Sequence, residues 1–275
     1  MLVQLMIGFF LAVLIALAAW RARSLSRSGA VAAAGLGTVV FGLGGLPWSV
    51  LLLGFFISSS GLSRLAARRK QALNEKFSKG SQRDAAQVMA NGGISGLFVL
   101  LHLVFPQSVW PWLAFAGTLA AVNADTWATE LGVLSHSTPR LITTGQSVER
   151  GTSGGVTFTG TLAAAAGAGF IGLLALLVWD AARWSPLTLQ RSGLVFLLVT
   201  LGGLAGSLID SLLGATLQAI YHCPTCSKET ERHPLHICGS PTTRLRGLHW
   251  MDNDWVNTVC ALAGGVLALL GGLVL

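Results

Sequence analysis

Long apolar segments recur along this chain and restrict it to a fold that sits in a membrane. A helix needs about 20 consecutive apolar residues to cross a bilayer core. Only 11% of the residues are charged, against about 25% in soluble domains, so little of the chain lies outside the membrane. We predict an all-α, polytopic transmembrane helix bundle of about seven or eight spans, forming one integral membrane domain over residues 1–275. The predicted spans are 2–20, 29–45, 48–62, 89–105, 112–134, 155–179, 192–220 and 255–275.

The basic residues predict the orientation of this bundle. With the N-terminus outside, 16 of the 18 lysines and arginines fall on one face. The positive-inside rule makes that face cytoplasmic, at the inner membrane of the cell. Cytoplasmic loops are then expected at about 63–87, 135–154 and 221–254. The net charge of +7 mainly reflects topology, with some attraction to anionic lipid headgroups. No nucleic-acid partner is expected, because no binding module accompanies the charge.

Polar side chains interrupt the span at 112–134, where Asn123, Asp125, Thr126 and Glu130 occur. An aspartate at the bilayer centre costs roughly 2.5–3.5 kcal/mol on insertion scales, so it persists only where something compensates it. Two carboxylates in one span without a basic partner in that span favour a cation, and hard oxygen ligands suit Mg²⁺. The alternative is a polar network that packs helices together.

Further acidic residues lie near the predicted cytoplasmic face. Asp210 continues an i, i+4 stripe of glycines in the span at 192–220, which predicts close helix packing and an aspartate that points into the bundle. Asp252 and Asp254 precede the last span, where they can be metal ligands or helix N-caps. Asp84 shares one helix face with two amides, and it too can be a cap. The two amides are Gln87 and Asn91.

The loop that precedes the span at 155–179 predicts an anion site. It contains the run Gly151-Thr152-Ser153-Gly154-Gly155. Backbone N–H groups at a helix N-terminus bind anions, and Arg140 and Arg150 can add bidentate contacts to phosphate. A flexible connector with an N-cap is the alternative. The loop is not a P-loop, because no Gly-Lys pair occurs in the chain.

The loop at 221–254 contains a group of potential zinc ligands: Cys223, Cys226, His236 (or His233) and Cys238. One C-x-x-C followed by a histidine and a further cysteine is typical of structural zinc sites. Free thiols and redox chemistry remain alternatives. A disulfide is disfavoured on the predicted cytoplasmic side.

Several of these motifs together resemble a known membrane family. The matching segments are 82–92, 123–130, 151–155, 210–215 and 252–254. They resemble the family that includes the plant phytyl-phosphate kinase. More distantly, an aspartate followed by a basic, glycine-rich loop resembles phytol kinase, dolichol kinase and phosphatidate cytidylyltransferase, which use CTP and magnesium. Those families have Gly-Asp where this chain has Ala124-Asp125.

The resemblance implies Mg²⁺-dependent phosphoryl transfer from a nucleoside triphosphate, CTP or ATP, to a phytyl- or geranylgeranyl-like monophosphate. No strong base is needed, because the acceptor phosphate is already an anion. Catalytic roles are expected for Asp84, Asp125, Glu130 and Asp210. Metal ligands are expected at Asp125, Asp210, Asp252 and Asp254. Nucleotide contacts are expected from Asn123, Arg140, Arg150, Gly151, Thr152, Ser153, Gly154 and Gly155. Contacts to the substrate phosphate are expected from Lys79, Arg83 and Asn91. The alternatives are a prenyl-alcohol kinase or lipid cytidylyltransferase, and an ion-coupled transporter.

Overall fold

A computed structural model describes residues 2–70, 82–179 and 188–273. It shows that the protein is mainly α-helical. The helices of these segments are α1 (Leu2–Arg21), α2 (Arg27–Val39), α3 (Leu46–Lys70), α4 (Ala85–Val104), α5 (Trp110–Gly132), α6 (Phe158–Leu177), α7 (Leu189–Thr216) and α8 (Asn253–Gly272). A π-helical turn, Val40–Gly44, extends α2. The predicted all-α polytopic bundle is confirmed. Its seventh predicted span ends early, since α7 stops at Thr216 and a strand begins at Ile220.

Helix α5 differs from its neighbours in composition and position. In the described part of the chain, seven helices are long and apolar enough to cross a membrane, and α5 is not one of them. Asn123, Asp125 and Glu130 reduce its hydropathy. Every residue from Pro111 to Ala124 is nevertheless buried, because α5 packs against α3, α4, α6, α7 and α8. Protein surrounds most of α5, so its polar groups avoid the lipid.

Glycines allow α5, α7 and α8 to approach one another closely. A Cβ atom on Gly264 of α8 would lie 2.5 Å from the Cβ of Ala121 and 2.7 Å from the carbonyl oxygen of Gly117. On α7, a Cβ on Gly206 would lie 2.6 Å from the same Ala121 Cβ. Small residues at such crossings bring helix backbones together, as the i, i+4 stripe predicts. This packing sets α7 beside α5.

Substitution of Gly264 should therefore destabilise the bundle. We expect Gly264→Ala to lower the thermal unfolding midpoint in detergent, because overpacking a tight core costs about 1–3 kcal/mol. Gly35→Ala is the matched control, since a Cβ at Gly35 would meet no atom within 4 Å. Equal midpoints for the two variants would contradict the packing argument.

Two small β elements cap one end of the bundle. We call this end the site end, and it is the end at which α4 begins (Ala85), α5 ends (Gly132) and α8 begins (Asn253). A two-stranded antiparallel sheet precedes α6, and a three-stranded antiparallel sheet of order β4-β3-β5 lies between α7 and α8. The strands are β1 (Arg140–Leu141), β2 (Gly155–Val156), β3 (Ile220–Cys223), β4 (Lys228–Thr230) and β5 (Thr243–Arg246). Most of these strand residues fall in segments that the sequence predicts to be cytoplasmic loops. The exceptions are β2 and Ile220, which lie in the predicted spans 155–179 and 192–220. The run 151–155 therefore leads into a strand, and α6 begins only at Phe158.

Candidate functional site

A polar cavity of about 680 Å³ opens at the site end between α4, α5, α6, α7 and α8. It brings together most of the residues that the sequence predicts for function. These are Arg83, Asn91, Asp125, Glu130, Arg150, Gly151, Thr152, Ser153, Gly154, Gly155 and Asp210. Four segments that are far apart in the sequence therefore meet in one space.

Carboxyl groups from two helices meet in this cavity. The carboxyl groups of Asp125 on α5 and Asp210 on α7 lie within hydrogen-bonding reach of each other, and the Glu231 carboxylate lies close enough to interact with Asp210. The Oδ2 atom of Asp210 is buried and has no hydrogen-bond partner among the described residues. Carboxylates this close repel unless a proton or a cation neutralises them. Oxygen donors of this kind fit Mg²⁺.

Neutral oxygen donors surround the carboxyl pair. The cavity wall includes Thr126, Thr129, Ser207, Ser211, Asn253 and Asn257. Glu130 is almost fully buried and accepts a hydrogen bond of 2.8 Å from the hydroxyl of Ser63 on α3. Hydroxyl and amide groups can complete the coordination of a hard cation or bind phosphate oxygens.

Two predicted aspartates act as helix caps in the structure. The Asp84 carboxylate accepts a hydrogen bond of 2.9 Å from the backbone N–H of Gln87, and the Gln87 side chain accepts one of 3.1 Å from the backbone N–H of Asp84. This reciprocal pair is a capping box at the start of α4. Asp252 caps α8 by accepting from the backbone N–H groups of Asp254 and Trp255. The structure does not bring Asp84, Asp252 or Asp254 into the cavity wall.

Arg83 supplies a cation to the cavity. Its backbone is held by the 22–26 turn, since its N–H donates to the Ser24 carbonyl (3.0 Å) and its carbonyl accepts from the Ser26 N–H (2.9 Å). The guanidinium lies 5.4 Å from the ring centre of Phe55. Burial lowers the pKa of Arg83 to about 10, while the Glu130 carboxylate acts in the opposite direction. Arg83 is therefore charged at neutral pH and can form charge-assisted hydrogen bonds to a phosphate. Lys79 lies outside the described residues.

The predicted anion loop is an ordered part of the wall. Gly151 and Gly154 have positive φ angles of 79° and 82°. A Cβ on Gly154 would lie 2.5 Å from the backbone nitrogen of Ala215, so the loop touches α7 directly. Arg246 donates a hydrogen bond to each side of this contact, at the carbonyls of Gly214 (2.8 Å) and Ser153 (3.4 Å). These contacts hold the loop in place, which a flexible connector would not need.

Two predicted nucleotide contacts lie elsewhere. Asn123 is fully buried, donates to the Gly167 carbonyl (2.8 Å) and accepts from the Ser58 hydroxyl (3.0 Å), so it joins α3, α5 and α6. Arg140 is exposed and donates to the Gly145 carbonyl (2.9 Å) within its own turn. Arg150 is exposed too, but it does line the cavity, and it donates to the His136 carbonyl (3.1 Å).

Glu231 and Arg232 line the cavity, although no sequence motif predicts either of them as a site residue. They directly follow β4 in the cysteine-containing segment. Gln218 connects this segment to the anion loop, because its Nε2 donates to Glu231 (2.9 Å) and its Oε1 accepts from the Ser153 hydroxyl. The only hint in the sequence is that Glu231 and Arg232 are charged residues between Cys226 and Cys238. Their spacing does not indicate a contact with Asp210.

The ligand atoms of Cys223, Cys226, His236 and Cys238 all lie within 4.8 Å of one another. The Sγ atoms of Cys223 and Cys238 are 3.6 Å apart, and the Nδ1 of His236 lies 3.2 Å from the Sγ of Cys238. His233 instead stacks on the Tyr221 ring, with ring centres 4.4 Å apart. The structure therefore favours His236 over His233 as the fourth member of the group.

A family model described as "Integral membrane protein DUF92" matches residues 10–265. The chain belongs to this family. Protein PGR of Arabidopsis thaliana is 35% identical, over 94% of this chain and 93% of its own length. An uncharacterized membrane protein of Methanocaldococcus jannaschii is 30% identical, over 98% of this chain and 94% of its own length.

The chloroplastic protein VTE6 of Arabidopsis thaliana is more distant, at 23% identity over 90% of this chain and 65% of its own length. The family match and this relative confirm the resemblance to the membrane family that includes the plant phytyl-phosphate kinase. No solved structure matches the chain significantly.

Proposed function

We propose that this protein transfers a phosphoryl group from a nucleoside triphosphate, CTP or ATP, to a prenyl monophosphate and so forms the diphosphate. The observation that carries this proposal is the meeting of two cavities of opposite character. The polar cavity and a second, apolar cavity share Arg83, Gln87 and Asn91 in their walls. A site of this form suits a ligand with a phosphate at one end and a hydrocarbon chain at the other.

The apolar cavity lies between α1, α2, α3 and α4. Its wall is formed by small and aliphatic side chains together with three phenylalanines. Representative members are Ala12, Ala16, Ala33, Leu36, Phe41, Phe55 and Phe56. Helices α1 and α2 also expose many large apolar side chains, as lipid-facing helices do. The apolar cavity is small, about 80 Å³, so it can hold only the part of a prenyl chain next to the headgroup at Arg83, while the rest of the chain stays in the bilayer.

The rest of the polar cavity suits the donor. The backbone N–H groups of Thr152 and Gly155 already donate to the carbonyls of Glu149 and Thr152. The other N–H groups of this loop and the Arg150 side chain can hold the phosphates of a nucleotide. The carboxylates of Asp125 and Asp210 would hold magnesium, with Glu231 beside them. Bound Mg²⁺ would neutralise charge on the transferred phosphoryl group. The protein's own contribution is position, since the two phosphates must be aligned and water kept away.

This chemistry needs no base. A monophosphate acceptor already carries a nucleophilic oxygen, whereas an alcohol must lose a proton. In this proposal the two carboxyl groups at the centre of the cavity serve the cation, and neither has to remove a proton from the acceptor.

The basic residues at the site end support a proposal for how the protein is oriented in the membrane. The site end carries 16 of the 18 lysines and arginines by the predicted topology, so the positive-inside rule places it in the cytoplasm. Nucleoside triphosphates are available on that side. We therefore propose an integral protein of the cell's inner membrane whose active site faces the cytoplasm.

The test is a direct assay of the purified protein in detergent with Mg²⁺. A prenyl monophosphate and the corresponding alcohol are each offered with CTP and with ATP, radiolabelled in the γ-phosphate. We expect labelled diphosphate from the monophosphate and little product from the alcohol. Label in the alcohol alone would assign an alcohol kinase, and release of labelled pyrophosphate from CTP would assign a cytidylyltransferase. No nucleotide turnover with any acceptor would contradict an enzyme and favour a transporter.

A further inference from the structure

We infer that Cys223, Cys226, His236 and Cys238 bind one zinc ion, and that this ion fixes one wall of the polar cavity. The inference does not depend on the reaction proposed above. It rests on the positions of the four ligand atoms and on the segment that they join.

The distances between the ligand atoms fit tetrahedral zinc. With Zn–S bonds of about 2.3 Å, two sulfur ligands lie about 3.8 Å apart. The Sγ atoms of Cys223 and Cys238 are 3.6 Å apart. Disulfide-bonded sulfurs would be about 2.05 Å apart. The cysteines are free, so the cluster has the spacing of a metal site and lacks that of a disulfide.

The donor set selects the metal and its role. Three thiolates and one imidazole suit Zn²⁺, whereas magnesium prefers oxygen ligands. Four protein ligands leave no open position for water or substrate, which is characteristic of structural zinc. His236 is buried, and a bound metal ion would give its imidazole a polar partner.

The surrounding sheet needs such a cross-link. The three strands β3, β4 and β5 contain four, three and four residues and lie outside the helix bundle. A unit this small buries too little apolar surface to be stable alone, and natural domains of this size commonly use a metal. The ligands join the end of β3, the turn after it, and the loop that leads to β5.

The same segment builds the cavity wall. Ile237, which lies between the ligands His236 and Cys238, lines the polar cavity, as do Glu231 and Arg232. The Thr242 hydroxyl donates to the carbonyl of Arg232 (3.1 Å). The loop that carries His236 and Cys238 therefore also fixes the backbone of this arginine. Zinc bound at the cluster would therefore position Glu231 beside Asp210, and its loss would displace that wall.

The experiment measures metal in the full-length protein purified without chelators. We expect about one zinc per chain by elemental analysis, and below about a tenth of that in Cys226→Ser and in His236→Ala. Growth with cobalt should give the visible absorption bands of tetrahedral Co²⁺ with thiolate ligands. His233→Ala and Cys260→Ala are the matched controls and should keep the metal, because these residues lie outside the cluster.

A second readout tests the positioning role. Removal of zinc from the wild-type protein should increase the rate of proteolysis within residues 217–252, with the helices unaffected. Wild-type protein that contains no zinc and has the thiols of Cys223, Cys226 and Cys238 open to alkylation would overturn the inference. Stoichiometric zinc retained by both Cys226→Ser and His236→Ala would overturn this ligand set.

Discussion

Asp125→Asn and Asp210→Asn should each reduce product formation by about 10³-fold, the loss typical of removing one group that stabilises transition-state charge. Both substitutions keep the shape of the side chain and remove a negative charge that we assign to magnesium binding. Steady-state rates at saturating Mg²⁺ measure the effect. The variants should fold at least as well as the wild type, because each removes repulsion between two adjacent carboxylates.

Asp84→Asn is the matched control for this prediction. Asp84 caps α4 outside the cavity, and asparagine is as good an N-cap as aspartate. We expect its activity to stay within about twofold of the wild type, since a surface change away from the site alters little. If Asp84→Asn were as inactive as Asp125→Asn, the assignment of the site to the carboxyl pair would be refuted.

Arg83→Met should raise the KM for the prenyl monophosphate by about 100-fold, while the KM for the nucleotide changes little. A charge-assisted hydrogen bond to phosphate contributes roughly 1.5–3 kcal/mol, and the upper value corresponds to about this factor. Methionine keeps the contacts with Phe55 and Phe56 but carries no charge. Varying each substrate at saturating concentrations of the other separates the two constants.

Arg64→Met provides the comparison for Arg83. The Arg64 guanidinium donates to the Ala22 carbonyl and the Ser24 hydroxyl, both at 2.6 Å, and it does not line the cavity. Arg64 contacts only the turn that holds the Arg83 backbone, so we expect the KM values of this variant to stay within about twofold of the wild type. Arg83→Lys should partly recover the Arg83 defect. A rise in the nucleotide KM alone would move Arg83 from the acceptor to the donor side of the site.

The helices and the convergence of the polar motifs were predictable because both follow from local patterns. Long apolar segments define the spans, and the i, i+4 stripe that contains Asp210 predicts a residue that faces the bundle, where the structure has it. The alternation of spans then places the motifs at one end. No step of this reasoning requires knowledge of which helices touch.

For Asp84 and Asp252 the sequence left two roles open, since an aspartate just before a helix can be an N-cap or a ligand at a site near the helix end. Asp84 and Asp252 satisfy backbone N–H groups, whereas Asp125 and Asp210 lie inside helices that already satisfy theirs. Asn123 shows a second limit, because its partner Gly167 lies 44 residues away on another helix. Glu231 reaches the site only through the fold of the sheet between α7 and α8.

The enclosure of α5 has a consequence for how the chain enters the membrane. During synthesis α5 emerges before α6, α7 and α8, three of the helices that later surround it. Helix α5 is also more polar than the helices that surround it, since it has two carboxylates and an amide in its second half. The translocon therefore receives a segment that gains little from contact with lipid alone. Stable insertion of α5 must await the later helices, so the residues that form the site also make assembly of the protein depend on its C-terminal half.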